Sequence, residues 1–523
     1  MASSTDLFEA IGFLKDNGEA ALTRFIRTRR GAVHADMRFE VVFSRSASAT
    51  DGNERGSSEN QNAAFGVTVQ CVARPGVFAW GYTGAEVGRL ALRPAKLMTA
   101  LVDGLEQAYL RARHSAREKA GLIKLHRADA LTRWAAPTPS TIRDEVSATF
   151  KRDPRGLDQG EVSRLCREAS AQIRALGAEI AYNVVAASAE LRHELFINSA
   201  GALISQAFAI SQGDCYVVAQ SGDGHQENYD TIGQQRGFEC LSDGWHDELM
   251  PNPDLPSFTL GLANEARELA RAPVLKPPDH EVVIVTDPHF NALVAHEIIG
   301  HPCEADRALK MEAAYAGRSW FLRSLENSEL EQQVAASLLS ACSDPTLNGY
   351  GHYRYDHEGT PGRRMTHIEG GVFRGFINSR ATAAALGVEA NGSARASEAY
   401  HVPLVRMSNT FFMPGETPPE RIISEVAHGY YVCGHLTPSI AESRENFRIS
   451  ARRVYDIEHG RLGRLYRAGS VMGDSKQFFL NVDAVGNDLR LIAIPNCGKG
   501  QPMQVKRMSN GGPTLRSRAR MAH

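Results

Sequence analysis

A chain of 523 residues is too long for a single hydrophobic core and requires two or three domains. Its 43% hydrophobic and 23% charged content is that of an ordinary folded protein. With 58 basic against 60 acidic residues the net charge is −2, which gives no general attraction to nucleic acid or to a membrane surface.

No stretch approaches the roughly 18 consecutive apolar residues of a membrane span, and residues 1–6 lack the charged-then-apolar order of a signal peptide. The eight cysteines are scattered without a C-x-x-C pair. Together these features predict a cytoplasmic protein with free thiols. Residues 6–28 are expected to be helical, with Leu7, Phe8, Ile11 and Leu14 on one face and Gly18 weakening the middle. Residues 38–43 alternate as a strand, and the polar stretch 44–62 reads as a loop or mobile hairpin tip. Residues 64–73 and 77–82 read as strands joined by the Arg74-Pro75-Gly76 turn. Pro94 opens a long helix with Leu97, Met98, Leu101, Val102, Leu105 and Tyr109 on one face. These elements predict an N-terminal α+β domain over residues 1–125, with no chemistry evident in it.

Residues 126–150, with Pro137 and Pro139, read as a linker. A helix follows with Val162, Leu165, Cys166, Ala169, Ile173 and Leu176 in register and Gly177 at its end, which places Cys166 in a core. Residues 178–186, 191–198 and 203–211 read as a meander of three strands, with a hairpin turn at 198–201. His193 sits mid-strand in a structural position. Residues 222–233 are polar and predict a loop whose His225 and Glu227 are solvated. A helix near 260–272 and a Pro-rich stretch, 273–278, complete a middle domain over 126–275.

The third region, 276–515, opens with Glu281-Val282-Val283-Ile284-Val285-Thr286, an apolar, β-branched strand. Asp287 is a good N-cap and Pro288 a good first helical residue. The helix runs on through Phe290, Leu293 and Val294 to His296-Glu297-Ile298-Ile299-Gly300-His301. Zinc peptidases of the H-E-x-x-H type place their histidines four apart on one helix face. Here the spacing is five, which on an ideal helix leaves the rings roughly 140° apart. Two arrangements restore convergence: the helix takes up the extra residue as a π-bulge, or it ends at Gly300 and His301 swings back. From 343 onward, short strands with Gly-rich turns predict an antiparallel, barrel-like β domain on which the histidine helix packs. Residues 516–523, with Arg516, Arg518 and Arg520, read as a basic, frayed tail.

The segment Ala295-His296-Glu297-Ile298-Ile299-Gly300-His301-Pro302-Cys303-Glu304-Ala305-Asp306 resembles the active subunit of the TldD/PmbA family of metallopeptidases, which carries H-E-x-x-x-H. The resemblance continues, in family order, in Tyr355-Asp356-His357-Glu358-Gly359-Thr360-Pro361, in residues 370–376, in Arg406-Met407-Ser408-Asn409-Thr410, in Asn496-Cys497-Gly498-Lys499-Gly500-Gln501-Pro502 and in Gly511-Gly512-Pro513-Thr514-Leu515. It implies a zinc-dependent peptidase (H-E-x-x-x-H type) that hydrolyses flexible or unfolded peptides in an enclosed site. His296, His301 and Cys497 are the implied metal ligands, and Glu297 the implied general base on zinc-bound water. It also implies a dimer, either with a second copy or with an inactive paralogous subunit.

Glu304 and Asp306 are placed to orient a ligand histidine or to cap the next element, and Cys303 is a rival third ligand. Oxyanion donors are sought among His352, Tyr355, His357 and His401, on composition. The family often has an acidic residue where this chain has His357. The Gly-rich stretches 359–362 and 370–375 suggest a strand edge for peptide docking. Two competing readings are a non-catalytic peptide-binding assembly factor and a metal-dependent small-molecule amidohydrolase.

Overall fold

The computed structural model describes residues 4–88, 92–126, 139–315, 317–324 and 327–523. The first half of the chain builds one sheet from β1 (Ala32–Thr50), β2 (Asn53–Arg74), β3 (Val77–Glu86), β4 (Arg143–Val146), β5 (Ile180–Asn198), β6 (Leu203–Ser221) and β7 (Gly224–Gln234). The strand order is β3-β2-β1-β5-β6-β4, and β7 also pairs with β6. β1 pairs with β5 from Asp36↔Asn198 to Thr50↔Val184. The regions expected as separate N-terminal and middle domains therefore share one continuous ladder. Helices α1 (Ser4–Thr28) and α2 (Pro94–His126) bury Leu14, Leu22, Leu101 and Leu105 with Phe39 and Val67 of the sheet. At Gly18 α1 lies close against the sheet, since a Cβ there would lie 2.8 Å from Ile197 and Met37. Helices α3 (Gln159–Arg174) and α4 (Leu255–Arg271) cover another part of the sheet, with Cys166 buried beside Val185 and Val217.

Several expectations about extent are corrected. Residues 44–62 are a hairpin arm: pairing of β1 with β2 continues to Thr50↔Asn53. Asp51 (φ 48°) and Gly52 (φ 84°) make the left-handed two-residue turn that such an arm needs. The polar composition reflects exposure of residues 53–62, while Ala47 and Ala49 on β1 are buried with residues of α3. Residues 180–198 and 203–221 are two long strands rather than pieces of three. The stretch expected as a loop at 222–233 is mostly β7, paired with β6 throughout. Val102 is 40% exposed and outside the core of α2. Of the expected linker, 127–138 lies outside the described residues, and 143–146 is β4.

The second half contains β8 (Val282–Thr286), then α5 (Pro288–Val294) running into a π turn (Ala295–Gly300). Next come β9 (Ala341–Ser343), β10 (Met365–Glu369), β11 (Val372–Phe373), β12 (Thr410–Phe412), β13 (His428–Ile440) and β14 (Asn446–Glu458). The last strands are β15 (Arg461–Tyr466), β16 (Ser470–Asp474), β17 (Arg490–Lys499), β18 (Gln504–Gly512) and β19 (Leu515–Ala522). The expected barrel is present: β13-β8-β19-β16-β14 closes because β14 also pairs with β13. One of its pairs, β8 with β13, is parallel. A second sheet has the order β11-β10-β9-β12-β18-β17, which leaves β17 at its edge. Helix α5 contacts β13 of the barrel and β18 of this sheet. Phe290, Val294, Ile298 and Ile299 are buried there with Phe412, Val432 and Leu515.

The expected basic tail is a barrel strand. Leu515, Ser517, Ala519 and Met521 point inward while Arg518 and Arg520 are exposed. Arg516 pairs with Asp483 at 2.7 Å. The period of two is that of a strand with one solvated face.

The two halves are joined by ions. Arg507 of β18 reaches Glu190 of β5 at 3.2 Å, and Glu190 also pairs with Arg192 at 2.9 Å. Burial opposes ionisation of Glu190, but Arg192 and Arg507 outweigh it and hold the carboxyl at about 2, against an ordinary 4.5. A folded value below the unfolded one stabilises above the unfolded value and is lost as pH falls through the folded one. Thermal unfolding followed between about pH 4.5 and 2 should show the Glu190→Gln variant losing less stability than wild type. Parallel curves would mean that the pair contributes nothing.

Candidate active site

The histidine helix begins as its sequence dictates. Asp287 accepts a hydrogen bond from Phe290 N at 2.7 Å, and Pro288 occupies the first turn. The extra residue between the histidines is then absorbed as a π turn: His301 N donates to His296 O at 3.1 Å, an i→i+5 bond. The two rings come to 4.8 Å between centroids, edge to face. Gly300 keeps an ordinary negative φ. Its role is close approach, since a Cβ there would lie 2.5 Å from Met407 Sδ. Ile298 O accepts from the Trp320 indole at 3.1 Å.

His296, His301 and Cys497 form a group whose ligand atoms all lie within 4.8 Å of one another, and all three residues are buried. Cys497 Sγ stands 3.4 Å from His301 Nε2. The far nitrogen of each ring is engaged: His301 Nδ1 with Glu304 Oε2 at 3.0 Å, and His296 Nδ1 with Asn510 Oδ1 at 3.0 Å. Asn510 is itself oriented by donating Nδ2 to Thr410 O at 3.1 Å. Both imidazoles thus turn Nε2 toward the sulfur, the tautomer following from these partners. A register shift in β17 between Ile494 and Cys497 aims the thiol inward. Burial opposes its ionisation, yet His301, His296 and Arg406 hold the thiol well below its usual range. Cys303 is buried outside this group, and burial pushes its thiol well up.

Glu304 orients His301, while Asp306 does something else: its Oδ1 takes Lys499 Nζ at 2.6 Å and its Oδ2 accepts from Val405 N at 3.1 Å. Lys499 also reaches Glu304 at 3.1 Å, and Arg307 Nε donates to Glu304 at 2.9 Å. Burial works against the Glu304 carboxylate, but Lys499, His301 and Arg307 keep its pKa well below the usual range.

Glu297 is paired with Arg444, which also donates to the Glu297 carbonyl oxygen at 3.1 Å. Burial raises the Glu297 carboxyl, and Arg444, His296 and His301 lower it to a net value of about 2. Arg444 was not legible as a site residue, because it lies 147 positions away in a left-handed turn (φ 64°) just before β14. Trp320 and Asn510 were missed for the same reason: only the fold brings them in.

His296, Glu297, His301, Arg444 and Cys497 line a cavity of about 690 Å³. Its other walls come from Tyr229 to Thr231 of β7, His435 to Pro438 of β13 and Ala493 to Gly498 of β17. Neither Gly-rich stretch expected to dock a peptide lines it, and the expected oxyanion donors are elsewhere. His352, Tyr355 and His357 line a different cavity, and His401 bonds Glu398 at 2.8 Å. Among the donors on this cavity are His435 and Arg444, while Tyr229 gives its hydroxyl to Asp214 at 3.1 Å. Both ring nitrogens of His435 are buried without a partner among the described residues. His225 and Glu227 bond each other at 3.0 Å on the exposed face of β7.

No helix among the described residues is long and apolar enough to cross a membrane. Residues 152–272 match the model of the PmbA/TldA metallopeptidase central domain, and residues 279–521 that of the PmbA/TldA metallopeptidase C-terminal domain. A curated metalloprotease of Methanothermobacter thermautotrophicus is 32% identical over 327 residues, 62% of this chain and 66% of that one. The zinc metalloprotease TldD homolog of Saccharolobus solfataricus is 26% identical over 332 residues, 62% of this chain and 68% of that one. The match thus spans about two thirds of the length of these relatives. Among solved structures, TldE from Thermococcus kodakarensis shares the fold at a TM-score of 0.67 and 17% identity, over 96% of this chain and all of that one. With both family models in place over more than half its length, and with the histidine pair inside the C-terminal match, the chain belongs to the PmbA/TldD family of metallopeptidases.

Proposed function

We propose that the chain is a zinc-dependent peptidase acting on flexible or unfolded peptides, with His296, His301 and Cys497 holding the metal and Glu297 as general base. The observation that carries this reading is the convergence of two imidazole Nε2 atoms and one thiolate-prone sulfur, each imidazole locked from behind, on the cavity that Glu297 also lines. The fit to zinc is good. With Zn–S near 2.3 Å and Zn–N near 2.0–2.1 Å, tetrahedral ligand atoms stand about 3.3–3.6 Å apart, and the Cys497–His301 separation is 3.4 Å. Two nitrogens and one sulfur suit zinc over the harder divalent ions. Bound there, the ion supplies a Lewis acid that polarises the scissile carbonyl and makes water more acidic.

The protein supplies the rest. Glu297 accepts a proton from water as its oxygen bonds to the carbonyl carbon, and passes that proton to the nitrogen as the C–N bond breaks. Arg444 keeps the carboxylate ionised and oriented, and its hold must loosen for the proton to be taken. His435, whose ring nitrogens have no other partner among the described residues, is a donor available to the carbonyl oxygen as charge develops on it. Edge strand β17 and strand β7 both border the cavity, so an extended peptide can lie beside either through backbone hydrogen bonds. A second copy, or an inactive paralogous subunit of the TldE kind, completes the enclosure in this reading.

The test is metal analysis together with cleavage of an unstructured peptide. Glu297→Gln should keep its zinc and lose about 10²–10⁴-fold in kcat; normal turnover by that variant would remove Glu297 as the base. Cys497→Ala should lose most of its zinc, and a variant with wild-type zinc content and affinity would move the third ligand elsewhere. Arg444→Met removes the strongest charge that lowers Glu297, so the acid limb of the kcat/KM profile should shift to higher pH. An unmoved limb would mean that Arg444 does not tune the base.

A further inference from the structure

A second cavity, about 300 Å³ in volume, lies where β5 and β6 face β17 and β18. Pro495 is in its wall and in the wall of the cavity that holds His296, His301 and Cys497. Lys506 lines the second cavity and is the direct cross-strand partner of Cys497. Such partners carry their Cβ atoms about 4.5–5.5 Å apart on one face of a sheet. An extended chain advances about 6.4–6.8 Å over two residues. A peptide lying across Cys497 therefore reaches the second cavity within about two residues.

The charges around this cavity are unevenly matched. Its carboxylates are engaged: Glu190 with Arg192 at 2.9 Å and Arg507 at 3.2 Å, Glu194 with His357 at 3.1 Å, and Glu398 with His401 at 2.8 Å. Two of its cations are not. The Lys506 side chain makes no hydrogen bond or ion pair among the described residues. Arg395 donates to Met407 O at 3.2 Å, lies over the Tyr353 ring at 4.5 Å and has no carboxylate within 4 Å among the described residues. Tyr350, Tyr353 and Tyr355 supply apolar ring faces to the same walls. A polar, aromatic cavity that holds two cations with no carboxylate within 4 Å among the described residues can receive an anion.

We propose that this cavity is a substrate subsite for a carboxylate, received by Lys506 and Arg395 and carried on an acidic side chain or on the C-terminus of the bound peptide. The proposal rests on the peptidase reading of the neighbouring cavity, and its test separates the two. Equilibrium binding is measured by fluorescence anisotropy on the full zinc-loaded chain carrying Glu297→Gln. The probes are one unstructured peptide with an amidated C-terminus and no acidic residue, the same peptide with a free C-terminal carboxylate, and an amidated set with Glu replacing Gln at each position in turn. One acidic arm should bind about tenfold or more tighter than the neutral peptide, and which arm does so identifies the source of the carboxylate. Lys506→Met should bring that arm to the affinity of the neutral peptide, while Lys506→Arg should keep most of the preference. Acidic and neutral peptides of equal affinity would overturn the proposal, as would a preference that survives Lys506→Met. If Lys506→Met fails to give a normal thermal transition, Lys506→Gln takes its place. Cleavage by wild type is scored separately: acid-dependent binding without cleavage removes the peptidase reading and keeps the subsite, and cleavage without acid preference does the reverse.

Discussion

The hydrogen bond from His301 N to His296 O spans five residues instead of four, and the site depends on that one choice of partner. On a regular helix the two rings would point about 140° apart. Widening one turn brings them to 4.8 Å. A π turn is disfavoured in isolation, so the surroundings must hold it. Ile298 O is taken up by Trp320, Met407 fills the space beside Gly300, and Ile298 and Ile299 are buried with residues of the barrel. The turn is therefore fixed by tertiary packing, with helix α5 contacting both the barrel and the second sheet.

A buried charge cluster then ties the histidine turn to the cysteine strand. Glu304 sits behind His301, and Lys499, two residues beyond Cys497 on β17, reaches both Glu304 and Asp306. Glu304, Arg307 and Lys499 have fully buried side chains. Isolated buried charges cost several kcal/mol each, so such a cluster persists only when every member is matched. The matching sets the distance between His301 and Cys497 through the protein itself. Asn510 performs the same service for His296, anchored in turn on Thr410 of the neighbouring strand.

What the sequence made legible was local. Asp287-Pro288 reads as a helix start and is one, and the five-residue spacing reduces to two arrangements, of which the π turn is found. The barrel follows from short strands and Gly-rich turns. The long hairpin of β1 and β2 was hidden because residues 53–62 are largely exposed and the small Ala47 and Ala49 mark the buried face of residues 44–50 only weakly, although Asp51-Gly52 was there as a turn signal. β19 was hidden by its arginines, whose alternation with Leu515, Ala519 and Met521 was the better guide. Arg444, Trp320 and Asn510 carry no local signature, and they reach the site only through the way the strands close. The same holds for His352, Tyr355 and His357, whose composition suggested one cavity and whose position belongs to another.

The most direct measurement of the central claim is zinc K-edge X-ray absorption on the purified full-length protein. The account predicts a first coordination sphere with two imidazole nitrogens near 2.0–2.1 Å and one sulfur near 2.3 Å, the remaining scatterers being light atoms. A sphere of nitrogen and oxygen alone, with no sulfur, would contradict it.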